Sequence, residues 1–309
     1  MRVLITGATG FVGSCLARRL LREGHNVHVF IRKESNTWRL EDIRKNITEH
    51  RVDLRDAALV DETVGKIMPQ VIYHLATYGG FAGQKDATSI LESNFLGTVN
   101  LLRACEQTGF DYFVNTGSSS EYGIKSKPME ELDILEPLEA YGVSKSASTL
   151  FCQSEGTAKK LPIVTLRLFS PFGPWDDQKR LIPYLIKSIL RGEAPKLSTP
   201  ESVRDYIFID DVLDAYTAVV EQTFYGEIFN IGSGTQHTIG AVVAATRGIL
   251  QKGPEPVWGS VQKLRPEPAV WVANVDKARQ KFKWKPSATL KGGLEQTIAW
   301  MKNNLSLYP

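Results

Sequence analysis

Tyr141-Gly142-Val143-Ser144-Lys145 places a phenol and an ammonium four residues apart, on one face if the segment is helical. A positive charge beside a phenol favours phenolate and lowers its pKa from about 10. A tyrosine tuned in this way can give or take a proton when an alcohol and a ketone interconvert. Lys145 can also donate to the hydroxyls of a bound ribose. Upstream runs Thr116-Gly117-Ser118-Ser119-Ser120-Glu121-Tyr122-Gly123, directly after an apolar, strand-like stretch. A hydroxyl at Ser118 can hold a carbonyl oxygen and turn it towards Tyr141. Tyr-x-x-x-Lys and a serine-rich turn each arise often by chance. The stretch has no Gly-x-Ser-x-Gly elbow, which argues against a serine hydrolase.

These residues need a scaffold, and the N-terminus supplies its first piece. Val3-Leu4-Ile5 leads into Thr6-Gly7-Ala8-Thr9-Gly10-Phe11-Val12-Gly13, followed by Ser14-Cys15-Leu16-Ala17-Arg18-Arg19-Leu20-Leu21. This reads as a strand, a glycine turn and an amphipathic helix. Gly7 takes the turn, Gly10 lets a pyrophosphate approach the backbone, and Gly13 lets the helix lie close on the sheet. N–H groups at the helix start, with the positive end of its dipole, then hold phosphates. A glycine triplet alone is weak evidence; strand and helix on either side strengthen it.

Strand-like and helix-like segments alternate onward. Val27–Ile31 reads as a second strand, Val52-Asp53-Leu54 as the end of a third, and Leu59–Met68 as a helix closed by Pro69. Val71–Ala76 reads as a fourth strand, Asn94–Gln107 as a helix, Asp111–Thr116 as a fifth strand and Pro162–Arg167 as a sixth, with a long helix starting near Tyr141. The alternation predicts an α/β chain: a Rossmann-type, doubly wound parallel sheet with ligands at the carboxyl ends of its strands. After Pro171 frequent prolines break the pattern. The reading is therefore a dinucleotide-binding domain over 1–170 and a smaller α/β substrate lobe over 171–309, some of whose segments return to the first domain. Gly232-Ser233-Gly234 lacks the rest of a phosphate-loop spacing and reads as a plain turn.

The chain has 309 residues, 42% hydrophobic and 23% charged, with a formal net charge of +3. That is an ordinary globular composition with no excess of cations for nucleic acid. Cys15, Cys105 and Cys152 are far apart, and the five histidines show no spacing with cysteine or carboxylate that suggests a metal. The early apolar stretch is broken by Gly7, Gly10 and Gly13 and followed by arginines, unlike a signal peptide, and no run is long enough for a membrane span. A cytoplasmic location is the expectation.

Order and spacing together resemble the extended short-chain dehydrogenase/reductase family, the NAD-dependent epimerase/dehydratase superfamily, nearly end to end. Beside the glycine loop, Ser118 and Tyr141/Lys145, the likeness rests on Val52-Asp53-Leu54-Arg55-Asp56, His74-Leu75-Ala76, Asn94-Phe95-Leu96-Gly97-Thr98, Arg167-Leu168-Phe169, Arg204-Asp205-Tyr206-Ile207 with Asp210-Asp211-Val212, and Asn230-Ile231-Gly232. The resemblance implies Ser118, Tyr141 and Lys145 as catalytic residues. It implies Gly7, Gly10, Phe11, Val12 and Gly13 at the cofactor phosphates, Asp53 and Leu54 at adenine, and Leu75 and Ala76 lining the cleft. Arg204 and Arg265 match arginines that hold a nucleotide-sugar diphosphate, a task suited to a bidentate guanidinium; Ser119 and Ser120 are the remaining substrate contacts. Many relatives form homodimers through helices equivalent to those after Asn94 and Tyr141; here Leu150 and Phe151 would either supply apolar surface for a homodimer or belong to the core.

Departures from the family pattern narrow the reading. Relatives that keep NAD bound place an acid at the end of the second strand for the ribose hydroxyls. Here that place holds Ile31, followed by Arg32-Lys33; Arg32, with help from Arg39, suits the 2′-phosphate of NADP. Dehydratases carry acids just after the catalytic Ser/Thr, where this chain has Ser119 and Ser120. Glu121 is one step further along, so its side chain is expected to point elsewhere. Many epimerases have Asn where this chain has Ser170. The expectation is an NADPH-dependent reductase, delivering hydride to the C4 ketone of a nucleotide-linked 4-keto-6-deoxyhexose with Tyr141 as the acid. The alternatives are an NAD-dependent 4-epimerase or 4,6-dehydratase, and a non-catalytic NADP-binding scaffold.

Overall fold

The structure is a computed structural model that describes residues 1–80, 83–251, 253–261 and 268–308. In chain order it comprises β1 (Arg2–Thr6), α1 (Phe11–Arg22), β2 (Asn26–Ile31), β3 (Thr48–Arg51), α2 (Ala57–Ile67), β4 (Val71–His74), α3 (Ala87–Leu91), a π-helical turn (Glu92–Leu96), α4 (Gly97–Thr108), β5 (Tyr112–Ser118), α5 (Ala140–Lys159) and β6 (Ile163–Leu168). Then follow β7 (Ser170–Phe172), α6 (Leu181–Leu190), β8 (Val203–Phe208), α7 (Ile209–Ala218), β9 (Glu227–Ile231), β10 (Gln236–Thr238), α8 (Ile239–Leu250), α9 (Asp276–Phe282) and α10 (Leu290–Asn303).

The chain divides into two compact units. The first is Met1–Gly123, Glu131–Leu168 and Leu213–Asn230; the second is Ile124–Glu130, Phe169–Val212 and Ile231–Pro309. The first is built on a seven-stranded sheet in the order β3-β2-β1-β4-β5-β6-β9, with parallel pairing from β3 through β6. This is the Rossmann-type architecture that the alternation of segments predicts. Its central strands β1, β4 and β6 are buried almost throughout, as expected where helices cover both faces, while the edge strand β3 is polar. Leu4 and Ile72 pack with Phe113, Ile163, Leu101 and Leu102 in one buried cluster. The chain leaves β1 for β2 on one side and later crosses to β4 on the other. The carboxyl ends of β1 and β4 therefore flank the point where strand order reverses, the place where ligands bind in such sheets.

Element ends differ by a few residues from the sequence reading, for identifiable reasons. The third strand stops at Arg51, because Asp53 accepts the Arg55 backbone N–H at 3.0 Å and turns the chain. The helix read as Leu59–Met68 starts at Ala57: Asp56 caps it, accepting from the Leu59 N–H at 3.1 Å, and Met68 ends it in the left-handed region. The helix read as Asn94–Gln107 carries the π-turn centred on Asn94; the side-chain bonds that this turn makes possible are taken up below.

The second unit holds a three-stranded sheet, β10-β8-β7, with β7 parallel and β10 antiparallel to β8. Phe172, Tyr206 and Phe208 stack edge to face over it. Gly293 on α10 has no Cβ because one there would stand 2.6 Å from the Phe172 ring. Asp205, buried on β8, accepts from the backbone of Ser233 (2.6 Å), Gly234 (3.1 Å) and Ala273 (3.0 Å). The Gly232-Ser233-Gly234 turn thus gives its N–H groups to an internal carboxylate. Cys15, Cys105 and Cys152 are buried, and among the described residues they form no disulfide. Among the described residues no helix is long and apolar enough to cross a membrane, and no group of three or more His, Cys, Asp or Glu side chains is placed to hold a metal ion.

A buried polar column crosses the first unit. His74 on β4 bonds Thr6 Oγ1 at 2.7 Å through Nδ1 and Thr98 Oγ1 at 2.8 Å through Nε2. Burial, with Lys145 nearby, lowers the imidazole pKa to about 3. The unfolded chain takes up that proton from about pH 6.5 downward and the folded chain does not. The stability contribution is therefore complete above pH 6.5 and falls by about 1.4 kcal/mol per unit below it. Chemical denaturation at pH 6.5 and pH 5 should show a loss of about 2 kcal/mol from this residue. His74→Gln should flatten that part of the slope; an unchanged slope would assign the loss to other groups.

Candidate active site

At the end of β1 the chain turns through Gly7 at φ +74°, a conformation that β-carbon-bearing residues rarely adopt. A Cβ there would stand 2.6 Å from the Ala76 nitrogen, and one at Gly13 would collide with the Gly7 carbonyl oxygen. The Gly10 N–H closes the turn onto the Gly7 oxygen at 3.0 Å. Gly10 then starts α1 without a side-chain cap, and the first turn carries no acid. The N–H groups of Phe11, Val12 and Gly13 have no acceptor within the helix, and the helix dipole adds to their pull on an anion. Leu75 is buried and Ala76 half-buried beside this turn; the Ala76 N–H donates to Thr6 Oγ1 at 3.2 Å. The cradle fits a dinucleotide pyrophosphate, since its N–H groups stand at an uncapped helix start with no acid in the first turn.

Beyond β2, Ile31 is buried, Lys33 exposed and Arg32 half-buried, its guanidinium 3.5 Å from Glu34. The cation that reaches the glycine turn is Arg39. It is buried, donates from Nη1 to the Thr9 carbonyl at 3.3 Å, and lies 4.4 Å from the Trp38 ring centre. Asp53 is gripped by Arg55, Nη2 to Oδ2 at 2.7 Å, and this bond holds its carboxyl below the usual range. Leu54 is buried behind it. A cavity of about 630 Å³ opens here between Asp53, Arg55, Glu92, Leu96 and Asn100.

Ser118 ends β5 and caps a 3-10 turn, Ser119–Glu121: its Oγ accepts from the Ser120 N–H at 3.1 Å. Ser119 is buried and Ser120 half-buried. Tyr141, the second residue of α5, is half-buried, and Lys145 is buried one turn later. Gly142 brings this helix start against the serine turn, since a Cβ there would be 2.6 Å from the Ser120 carbonyl oxygen. Sequence reasoning missed the groups that fix the arrangement. Asn94, presented by the π-turn, accepts from the Tyr78 N–H at 2.7 Å and donates to the Tyr78 carbonyl and to Ser144 Oγ, both at 2.8 Å. Ser144 in turn donates to the Tyr141 carbonyl at 2.8 Å. Glu121 points inward to a buried ion pair with Arg167, Nε to Oε2 at 2.7 Å. An acid in a serine-rich turn before a tyrosine is the one signal in the sequence that could have flagged this pair.

Arg204 belongs to the second unit, half-buried on β8, with its guanidinium 5.4 Å from the Trp271 ring centre and Nη1 donating to the Val203 carbonyl at 2.5 Å. Arg265 lies outside the described residues.

Lys145 is only 3% exposed, and among the described residues its ammonium makes no hydrogen bond or ion pair. Burial lowers its pKa to about 8, against the pull of Glu121. A desolvated, unpartnered ammonium suits a site whose hydroxyl acceptors arrive with a ligand. In the ligand-free protein it opposes folding at neutral pH, and the opposition fades as pH rises from 8 towards 10.5. Lys145→Met should stabilise the ligand-free protein at pH 7 by about 1–3 kcal/mol, read as a higher melting temperature. A lower melting temperature would mean that the ammonium has a stabilising partner.

Residues 3–232 match the model of the NAD dependent epimerase/dehydratase family. A Bacillus subtilis (strain 168) protein described as an uncharacterized UDP-glucose epimerase is 29% identical over 98% of this chain and 98% of its own length. The Thermotoga maritima UDP-glucose 4-epimerase solved with UDP-glucose superposes with a TM-score of 0.92 at 25% identity, over 99% of this chain and 100% of that one. The Bacillus cereus UDP-glucuronic acid 4-epimerase in complex with UDP-glucuronic acid and NAD gives 0.88 at 28% identity, over 98% and 100%. With the glycine cradle, the serine turn and the Tyr141–Lys145 helix all in place, this chain belongs to the NAD dependent epimerase/dehydratase family of extended short-chain dehydrogenases/reductases.

Proposed function

We propose that the protein is a nucleotide-sugar 4-epimerase that works on a UDP-hexose with a retained NAD. This replaces the reductase reading drawn from the sequence. Ser170 and the missing acid after β2 spoke against an epimerase, but they are two positions, whereas the likeness to 4-epimerases runs the length of the chain. Ser119 and Ser120 stand where a dehydratase needs acids, which favours the epimerase within the family. The observation that carries the reading is the unpartnered Lys145 ammonium on the helix that starts against the Ser118 turn.

Gly7, Gly10, Phe11, Val12 and Gly13 would hold the NAD diphosphate, Asp53 and Leu54 the adenine, Leu75 and Ala76 the wall of the cleft, and Lys145 with Tyr141 the ribose next to nicotinamide. When bound, NAD supplies a reversible two-electron acceptor for sugar C4. Tyr141 takes the proton of the C4 hydroxyl as that carbon becomes a ketone, and returns it to the oxygen afterwards. Ser118 donates to the same oxygen and keeps it within reach. Lys145 holds positive charge beside the phenol and favours phenolate. Arg204 and Arg265 would grip the substrate diphosphate. Ser120, the more accessible of the two serines after Ser118, is the better placed for a sugar hydroxyl, Ser119 being buried.

A second reading, the NADPH-consuming reductase of a 4-keto-6-deoxy sugar, keeps one observation in its favour: Arg39 is drawn against the glycine turn, and Ile31 stands where an acid would end β2. Denaturing the purified protein and identifying the released dinucleotide separates the two. The proposal expects NAD and interconversion of UDP-glucose and UDP-galactose without added cofactor. Tighter binding of NADPH than NADH, with NADPH oxidation on a nucleotide-linked 4-keto sugar, would establish the second reading. Tyr141→Phe should lower turnover at least about a hundredfold while NAD stays bound; retained turnover would remove Tyr141 from its role.

We also propose a homodimer through the faces of α4 and α5. Leu96, Val143 and Leu150 are exposed there, while Phe151 packs against the buried cluster of the first unit. Leu150→Glu should halve the mass measured by light scattering; an unchanged mass would place any interface elsewhere.

A further inference from the structure

The ion pair of Glu121 and Arg167 is the most deeply buried charge cluster of the first unit, with side-chain exposures of 0% and 1%. Breaking such a pair leaves an uncompensated charge, while apolar residues of similar volume are often tolerated in its place. A pair kept in the core therefore invites the question of what else it holds. Glu121 answers with three further contacts, each to a part of the candidate site. Its Oε1 accepts the backbone N–H of Ser118 at 2.7 Å and the hydroxyl of Thr149 at 3.1 Å. Thr149 stands one turn beyond Lys145 on α5. The same carboxylate also acts electrostatically on Lys145. Arg167 fixes the other oxygen, and its Nη1 donates to Tyr122 Oη at 2.9 Å; Tyr122 Oη donates onward to Asn230 at 2.7 Å. The pair has dedicated space: a Cβ on Gly117 would stand 2.6 Å from Glu121 Oε1 and 2.9 Å from Arg167 Cγ.

Burial pushes the Glu121 carboxyl up, and the guanidinium with the donated hydrogen bonds works against that. Ser118 N–H and Arg167 Nε–H can only donate, so the ionised form satisfies both. The groups that act on Lys145 are Glu121 from the turn after β5, Cys152 from its own helix and His74 from β4. Tyr141 precedes it by one turn. Burial holds Cys152 as a neutral thiol, its pKa pushed up to about 12, and His74 is neutral above pH 3. Glu121 is then the negative charge that favours the Lys145 ammonium.

We propose that Glu121, clamped by Arg167, is a positioning residue: it ties the strand end that carries Ser118 to the helix that carries Tyr141 and Lys145, and supplies the negative charge that acts on Lys145. The catalytic part rests on the epimerase reading; the hold on Lys145 does not.

The test is Glu121→Gln, with Glu121→Leu/Arg167→Met as the second variant because it removes both charges and keeps an apolar core. Lys145 is followed by the ¹³Cε shift in lysine-labelled protein, assigned through Lys145→Met. Removing the carboxylate withdraws support for the ammonium, so the midpoint should fall by about one pH unit in either variant. The basic limb of the kcat–pH profile should move down with it, and kcat should drop at least about tenfold while KM stays within about threefold. A purely structural pair would alter melting and leave the Lys145 midpoint where it is. An unmoved midpoint in a folded variant overturns the proposal. A moved midpoint in a protein inactive on every nucleotide hexose would retire the epimerase reading and leave the Glu121–Lys145 coupling standing.

Discussion

A lysine ammonium held in the core with no hydrogen bond or ion pair among the described residues opposes folding, and the rest of the first unit is arranged around tolerating it. Lys145 is nearly out of water, one buried carboxylate favours its protonated form, and it stands a helical turn from a phenol. Charge without solvation is what gives an ammonium influence over a neighbouring tyrosine, because the field between them is not screened by water. The same desolvation makes the site ready for the hydroxyls of a ribose. Stability and chemistry pull in opposite directions at this residue, a common pattern for groups that must react.

The sheet makes the arrangement possible. Parallel strands end their carboxyl termini on one edge, so residues far apart in sequence meet there without long loops. β1 delivers the glycine turn, β4 delivers Leu75 and Ala76, and β5 delivers Ser118. The π-turn at Glu92–Leu96 then places Asn94 where its amide reaches both Tyr78 and Ser144, so that the loop after β4 and the start of α5 are tied by one side chain. An uninterrupted α-helix would present that position differently, and π-bulges recur at functional sites for this reason.

The sheet and its helices were legible in the sequence because hydrophobic runs and helical periodicity are local signals. The glycine turn was legible because strand, turn and helix are adjacent in the chain, and the places of Ser118, Tyr141 and Lys145 in the fold because each belongs to a recognisable element. The buried polar groups were not. Glu121 was read as an acid one step too far along that points elsewhere, and Ser119-Ser120-Glu121-Tyr122 does not name Arg167, 46 residues away, as its partner in the core. His74, Asn94 and Asp205 are of the same kind: their partners lie at long range, and local pattern carries no information about them. The surroundings of Arg32 and Arg39 were hidden by a similar effect. A short turn brings Arg39 to Thr9, while Arg32 engages Glu34.

Departures at the end of β2 and at Ser170 weighed towards a consumed NADPH, whereas the proposed epimerase reading rests on likeness across the whole chain to 4-epimerases, one of them solved with NAD. The two chemistries differ in where the hydrogen at C4 of the product comes from. An epimerase removes it from its substrate and returns it to the opposite face of the same carbon; a reductase brings it from outside. Incubating the purified protein with UDP-glucose deuterated at C4, with no dinucleotide added, tests this directly. The account predicts UDP-galactose that keeps the deuterium at C4. No conversion under these conditions, together with deuterium transferred from 4-deuterated NADPH onto a nucleotide-linked 4-keto sugar, would contradict it.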